Sequence, residues 1–155
     1  MKKKLIIITS ILVIIIISIV SLLLLSNKTF YLEENYYSSN EMTEINIDKL
    51  NDLTNKKESF AVFLYQPSCI ASTNFENVLN EFIEKNKISI YKLTFSSIKN
   101  TDIGKKIKYY PSFIIYNKGK MVDFLESDKD EDVEYYTSSE GFTKWFTNYV
   151  KLKDN

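Results

Sequence analysis

The longest apolar stretch of the chain lies at its N-terminus. Residues 5–25 carry no charge and follow three consecutive lysines at positions 2–4. About 20 apolar residues are enough for a helix to cross the hydrocarbon core of a bilayer, and flanking lysines favour the cytoplasmic side. A cleaved signal peptide would have a shorter apolar region and a small residue where Leu24 stands. We therefore predict a cytoplasmic segment 1–4, a single-pass signal-anchor helix 5–25 and an extracytoplasmic remainder at the cell membrane.

The rest of the chain divides into a polar stretch and a segment of mixed periodicity. Residues 26–42 are polar with scattered tyrosines and no clear period, so we predict a juxtamembrane spacer there. Residues 43–152 alternate between β-favouring apolar runs and helical repeats, which predicts one folded domain followed by a tail at 153–155. The predicted strands cover 44–47, 59–65, 88–95, 112–117 and 120–125, and the predicted helices or helical turns cover 48–57, 68–86, 101–109 and 138–152. This alternation predicts the α/β class, with a central sheet covered by helices on both faces.

The helix predicted at 68–86 has the clearest repeat. Its apolar residues recur at intervals of three and four, as expected for one core-facing stripe: Phe75, Val78, Leu79, Phe82 and Ile83. The only cysteine of the chain, Cys69, lies at the start of this helix.

Charge and composition exclude two classes of function. All 20 basic residues are lysines. The part of the chain after the predicted anchor has 17 lysines and 20 acidic residues, which gives a net charge of −3. The absence of a basic patch excludes a nucleic-acid surface. One cysteine and no histidine exclude a Cys/His metal site, and we predict neither a metal nor a cofactor. The bias toward Asn, Ile, Lys and Tyr indicates an AT-rich bacterial genome.

An acidic run follows the last predicted strand. Seven carboxylates lie between positions 123 and 134, against the single base Lys129. The spacing imitates the first half of a calcium loop, but Val133 stands where that loop needs glycine and Ser139 where it needs glutamate. We therefore predict a solvated loop here.

Three short motifs follow one another in a specific order. An apolar strand leads into "PSCIAS" (67–72) at a helix start, "YYPSFIIY" (109–116) places Pro111 before a strand, and "YNKGK" (116–120) forms a hairpin turn. With this order and spacing, the segment 43–152 resembles the thioredoxin-like family. The tether together with residues 123–146 is similar to small thioredoxin-like accessory proteins of bacteriocin export.

The resemblance implies a central mixed β-sheet flanked by helices. It implies that Cys69 takes the position of the first cysteine in a Cys-x-x-Cys pair, and that Pro111 is a cis-proline facing it. The chain departs from the family at the second cysteine, which is Ser72, and at the buried carboxylate six residues before the first cysteine, which is Phe63. A serine hydroxyl cannot resolve a mixed disulfide, so autonomous dithiol oxidation or reduction is excluded.

The candidate site follows from these positions. A helix N-terminus favours the thiolate of a cysteine placed there. We take Cys69 and Ser72 as the candidate catalytic residues and Ser68, Ile70, Tyr110 and Pro111 as the residues that bind substrate.

Two functions remain open at this point. The first is monothiol thiol–disulfide exchange or client capture, acting on a cysteine-containing exported polypeptide. The second is a redox-inactive binding module of the same fold, which holds a peptide or a membrane partner protein. In the second, Cys69 is a small packing residue.

Overall fold

The computed structural model describes residue 15 and residues 29–153. The predicted cytoplasmic segment 1–4 and, apart from residue 15, the predicted anchor 5–25 lie outside the described residues. Within the part of the chain that is described, no helix is both long enough and apolar enough to cross a membrane.

Residues 29–153 contain five strands and six α-helices. The strands are β1 (Met42–Glu44), β2 (Phe60–Tyr65), β3 (Ile90–Thr94), β4 (Ser112–Asn117) and β5 (Lys120–Glu126). The helices are α1 (Ile47–Asn55), α2 (Ile70–Asn86), α3 (Phe95–Ile98), α4 (Asp102–Lys106), α5 (Val133–Thr137) and α6 (Ser139–Thr147). Two short 3₁₀ helices cover Glu34–Tyr37 and Asp130–Asp132.

The strands form one mixed sheet in the order β1-β3-β2-β4-β5. β1, β3 and β2 are parallel to one another, whereas β4 is antiparallel to both β2 and β5. The two central strands, β2 and β4, are buried along nearly their whole length because their side chains are apolar on both faces. The predicted α/β class with a central mixed sheet is therefore confirmed.

Helices cover both faces of the sheet. Successive side chains of a strand point to opposite faces. Phe113 of β4 contacts Phe142 of α6 with ring centroids 4.8 Å apart, and Phe142 lies 4.8 Å from Phe82 of α2. On the opposite face, Tyr116 of β4 lines a cleft together with Leu50 of α1. The candidate thiol therefore begins a helix that is held by aromatic packing.

The segment predicted to be a spacer belongs in part to the folded unit. Phe30 pairs with Val150, the amide of Phe30 donating to the Tyr149 carbonyl at 2.9 Å. Leu32 and Tyr36 are buried in the core. The packed unit thus begins near Phe30, and the predicted boundary at residue 43 lies too late. The sequence showed no period here because an irregular segment buries single side chains rather than a regular stripe.

Several element boundaries also differ from the prediction. β1 lies at 42–44 instead of 44–47. The following helix α1 is capped by the side chain of Asn46 and not by that of Asp48, since the Asn46 side chain accepts a hydrogen bond from the Lys49 amide at 2.9 Å. The short helix α3 was not predicted. The helix predicted at 138–152 ends at Thr147. The acidic run predicted to be a loop contains a 3₁₀ turn and the first two residues of helix α5.

We predict that Tyr36→Ala lowers the free energy of unfolding by about 3–5 kcal/mol, the usual cost of deleting a large buried aromatic side chain. Tyr36 is 2% exposed and its ring lies 5.5 Å from that of Tyr91. Urea unfolding followed by the fluorescence of Trp145 measures the change. Tyr31→Ala is the matched control, because Tyr31 is 52% exposed. A loss in Tyr36→Ala no larger than the loss in Tyr31→Ala would show that the burial of Tyr36 does not stabilise the domain.

Candidate functional site

Cys69 lies at the junction of strand β2 and helix α2. A loop of four residues, 66–69, joins the two elements, and Cys69 is the N-cap of α2 with an extended backbone. Ser68 has a positive φ of 61°, which is uncommon for a residue other than glycine and reverses the chain into the helix. The amide of Cys69 donates to the Gln66 carbonyl at 3.3 Å, closing the turn. The thiol is free and partly exposed, so it can meet a partner from solution.

Ser72 holds the loop in place from the first turn of α2. Its side chain is buried, and its hydroxyl oxygen accepts a hydrogen bond from the Gln66 amide at 3.1 Å. The same hydroxyl can still donate, and its effect on the neighbouring Cys69 thiol is to lower the pKa of that thiol. Ser72 therefore connects the start of the loop to its thiol.

The surroundings of Cys69 favour its thiolate. The backbone N–H of Ser72, then the Ser72 hydroxyl, and to a smaller extent the backbone N–H of Ala71 lower the pKa of the Cys69 thiol below its ordinary value, against a small opposing effect of burial. These N–H groups belong to the first turn of α2, where no intrahelical carbonyl is available to accept from them. Strand β2 supplies no charge to this site, because none of its residues is ionised. Phe63, at the position where the family has a buried carboxylate, is buried and packs its ring against that of Phe75, with centroids 5.6 Å apart.

The loop before β4 faces the same edge of the sheet. In the antiparallel pairing of β2 and β4, Ser112 lies opposite Leu64, so the preceding Pro111 lies beside the end of β2 where the Cys69 loop starts. The Tyr110–Pro111 bond is cis, as the resemblance implies. The Pro111 carbonyl accepts a hydrogen bond from the Tyr136 hydroxyl of α5 at 3.1 Å. Burial raises the pKa of that hydroxyl, so it remains a donor.

Two large apolar side chains near the thiol are exposed, one on its own loop and one on the facing loop. Ile70, directly after Cys69, is 79% exposed, and Tyr110 is 41% exposed. Tyr110 is supported by Phe95, which follows β3, with ring centroids 5.1 Å apart. The six predicted site residues therefore gather at one edge of the sheet, four on the Cys69 loop and the first turn of α2 and two on the facing loop.

Sequence reasoning missed a groove beside this edge. It has a volume of about 420 Å³. The groove lies between α2 and the segment that contains α5, and its apolar lining comprises Ala71, Phe75, Val78, Pro111, Val133 and Tyr136. Phe75 and Val78 belong to the helical stripe predicted to face the core. Helix α5, which begins within the run predicted to be a solvated loop, lies opposite these two residues. Part of the helical stripe therefore lines the groove.

Among residue 15 and residues 29–153, no group of three Cys, Asp or Glu side chains lies close enough together to hold a metal ion.

Comparison with known proteins identifies the fold. No protein-family profile matches the chain. It is 31% identical over 90 residues to protein disulfide-isomerase A5 of Mus musculus, a match that covers 54% of this chain and 17% of that protein. The chain therefore spans about a sixth of the length of this curated relative.

Solved structures share the architecture. A mutant thioredoxin from Halobacterium salinarum NRC-1 superposes with a TM-score of 0.55 at 16% identity, covering 76% of this chain and 97% of that one. The oxidised thioredoxin from Plasmodium falciparum superposes with a TM-score of 0.51 at 13% identity, covering 69% and 99% of the two chains. The chain has a thioredoxin-like fold, a mixed sheet flanked by helices.

We predict that Ser72→Ala raises the pKa of the Cys69 thiol part of the way to its ordinary value. The variant loses the hydroxyl donor to the sulfur but keeps the backbone N–H groups, so the shift is partial. The rate of alkylation by iodoacetamide, followed from acid to alkaline pH, measures the midpoint.

Thr73→Ala is the matched control, because the Thr73 hydroxyl donates to the Cys69 carbonyl at 3.2 Å. An unchanged midpoint in Ser72→Ala would show that the hydroxyl does not stabilise the thiolate.

Proposed function

We propose that this protein is a membrane-tethered, extracytoplasmic thioredoxin-like protein that carries out monothiol exchange with, or captures, cysteine-containing exported polypeptides. The observation that carries the proposal is the partly exposed thiol of Cys69, whose pKa is lowered by hydrogen bonds from Ser72 at the N-terminus of α2. The thiolate is the nucleophilic form of cysteine. The similarity to a segment of a protein named a disulfide-isomerase supports the same class of chemistry.

The exchange step requires only the thiolate and a client disulfide. The Cys69 thiolate attacks one sulfur of the disulfide, a bond forms between Cys69 and the client, and the other client sulfur leaves as a thiolate. No net oxidation takes place, because one disulfide replaces another. A second thiol must then attack the mixed disulfide to free Cys69.

The source of that second thiol decides the outcome. If the client supplies it, the client disulfides are rearranged. If an external thiol supplies it, that thiol replaces Cys69 in a mixed disulfide with the client, and a second external thiol must then displace the client sulfur, leaving an external disulfide, before the client is reduced. The Ser72 hydroxyl has no thiolate chemistry, and it already accepts a hydrogen bond from the Gln66 amide. Long-lived mixed disulfides are the consequence, which suits capture as well as exchange.

The predicted tether sets where this chemistry takes place. With residues 5–25 as the membrane anchor, the domain lies outside the cell membrane, close to polypeptides as they are exported. The similarity to bacteriocin-export accessory proteins fits this placement. Disulfides persist in extracytoplasmic compartments, so a client disulfide is available there.

The second candidate function is a redox-inactive binding module of the same fold. The exposed Ile70 and Tyr110 favour it, because exposed apolar residues beside a cleft suit the binding of a peptide. In that function Cys69 makes no bond to the client.

We predict that Cys69→Ser abolishes the covalent complex with a disulfide-containing peptide, and that Ser72→Cys shortens its lifetime. In Ser72→Cys, the introduced thiol lies one helical turn from Cys69, attacks the mixed disulfide and releases the peptide, leaving an internal disulfide between Cys69 and the introduced thiol. Mass spectrometry of acid-quenched, non-reduced samples measures both species. Client binding that survives unchanged in Cys69→Ser, with no covalent complex in the wild type, would establish the binding module instead.

A further inference from the structure

The apolar groove beside Cys69 is built from two distant parts of the chain. Ala71 and Phe75 of α2 form one wall, and Val133 and Tyr136 of α5 form the other. Pro111 also lines the groove, and its carbonyl accepts a hydrogen bond from the Tyr136 hydroxyl at 3.1 Å. A group in the groove therefore lies next to both the first turn of α2 and the cis-proline loop.

The size and lining of the groove suit apolar side chains. Its volume of about 420 Å³ falls in the range of about 300–1,000 Å³ that is typical of ligand sites. Val133, at its edge, is 51% exposed although it is apolar. Burying such a side chain under a ligand stabilises the complex by about 25 cal/mol per Å² of apolar surface. The groove therefore binds an apolar group more tightly than a polar one.

The segment that forms the outer wall is strongly acidic. Between positions 126 and 134 there are six carboxylates and one base, Lys129, which pairs with Glu126 at 3.7 Å. Lys108 is the basic residue next to the facing loop, and its amide donates to Glu126 at 3.4 Å. Residues 126–134, which we call the acidic rim, include the lining residues Ser127 and Val133 and carry a net negative charge. A potential of this sign attracts cations and repels anions.

These two properties select one occupant. We propose that the groove is the specificity site for the client: a cationic peptide segment that carries an apolar or aromatic side chain beside its reactive cysteine. The apolar side chain fills the space between Phe75 and Val133, and the basic residues meet the acidic rim. This inference rests on the proposed thiol exchange, because it names the class of substrate for the same site.

The charge of the acidic segment argues against two other occupants. A small acidic thiol would bring its carboxylates against the acidic rim, where like charges repel. A second copy of this chain, placed groove to groove, would bring two acidic rims together. A basic, apolar peptide meets neither obstacle.

The test uses synthetic peptides of one cysteine each, with that cysteine linked to 5-thio-2-nitrobenzoate. The Cys69 thiolate attacks the peptide sulfur, the Cys69–peptide disulfide forms and the coloured thiolate leaves, so its absorbance gives the rate. One peptide has lysines and phenylalanine around the cysteine, a second has glutamates in place of the lysines, and a third has serine in place of phenylalanine. The full-length protein is used.

We expect the cationic, apolar peptide to react at least tenfold faster than either of the others at low salt. The advantage over the glutamate peptide should shrink as salt rises, because the Debye length falls to about 10 Å at 0.1 M. Val133→Lys should slow the cationic, apolar peptide at least tenfold. Val122→Lys is the matched control, because Val122 is 44% exposed on β5 and does not line the groove.

The rate of alkylation by iodoacetamide separates this inference from the proposed function. A thiol that reacts with neither iodoacetamide nor any peptide would overturn the proposed exchange itself. A thiol that reacts with iodoacetamide and with all three peptides at equal rates would overturn the groove as a specificity site and leave the exchange standing. The comparison of the three peptides on the wild-type protein holds even if Val133→Lys does not fold.

Discussion

The antiparallel pairing of β2 and β4 is the constraint on which the site depends. Because Leu64 lies opposite Ser112, the loop after β2 and the loop before β4 meet at one edge of the sheet. The first loop carries Cys69 and the second carries Pro111, and 41 residues of sequence lie between them. Both strands are buried on both faces, and a shift of one residue would turn every apolar side chain of one strand to the other face. The register, and with it the site, is therefore strongly specified by the core.

Ser72 gives this edge a chemistry that a second cysteine would not. Its hydroxyl accepts a hydrogen bond from the Gln66 amide and lowers the pKa of the Cys69 thiol, so one buried side chain both holds the loop and favours the thiolate. A thiol at the same position would be a poor acceptor for the amide and would compete as a nucleophile. The apolar Phe63 beneath completes the pattern, because it offers no carboxylate to move protons to or from a second thiol. In the proposed exchange, such a site forms one bond to a client sulfur and leaves the release of the client to another thiol.

The segment between β5 and α6 gives the site its individual shape. Helix α5 lies against α2, with the rings of Tyr136 and Phe75 4.2 Å apart, and the Tyr136 hydroxyl reaches the Pro111 carbonyl. One tyrosine thus couples the acidic segment to both the cysteine helix and the cis-proline loop. The consequence is an apolar groove that is lined by the first turns of α2, by Pro111 and by α5, and that is flanked by an acidic segment.

The sequence by itself determined the fold class and the central strands, because continuous apolar runs and one strong helical repeat report burial directly. The roles of the six site residues stay a prediction, which follows from the resemblance of the short motifs to a known family. It could not place Leu32 and Tyr36 in the core, since an irregular segment has no period to read. It also could not reveal the groove: Phe75 and Val78 have the spacing of core residues, and only the docking of α5 decides which part of their stripe stays open. The dual role of Ser72 likewise depends on the turn at Ser68, whose positive φ brings the Gln66 amide back onto the helix. Local pattern specifies which residues are buried, whereas the contacts between segments distant in the sequence specify what the buried and half-buried residues do.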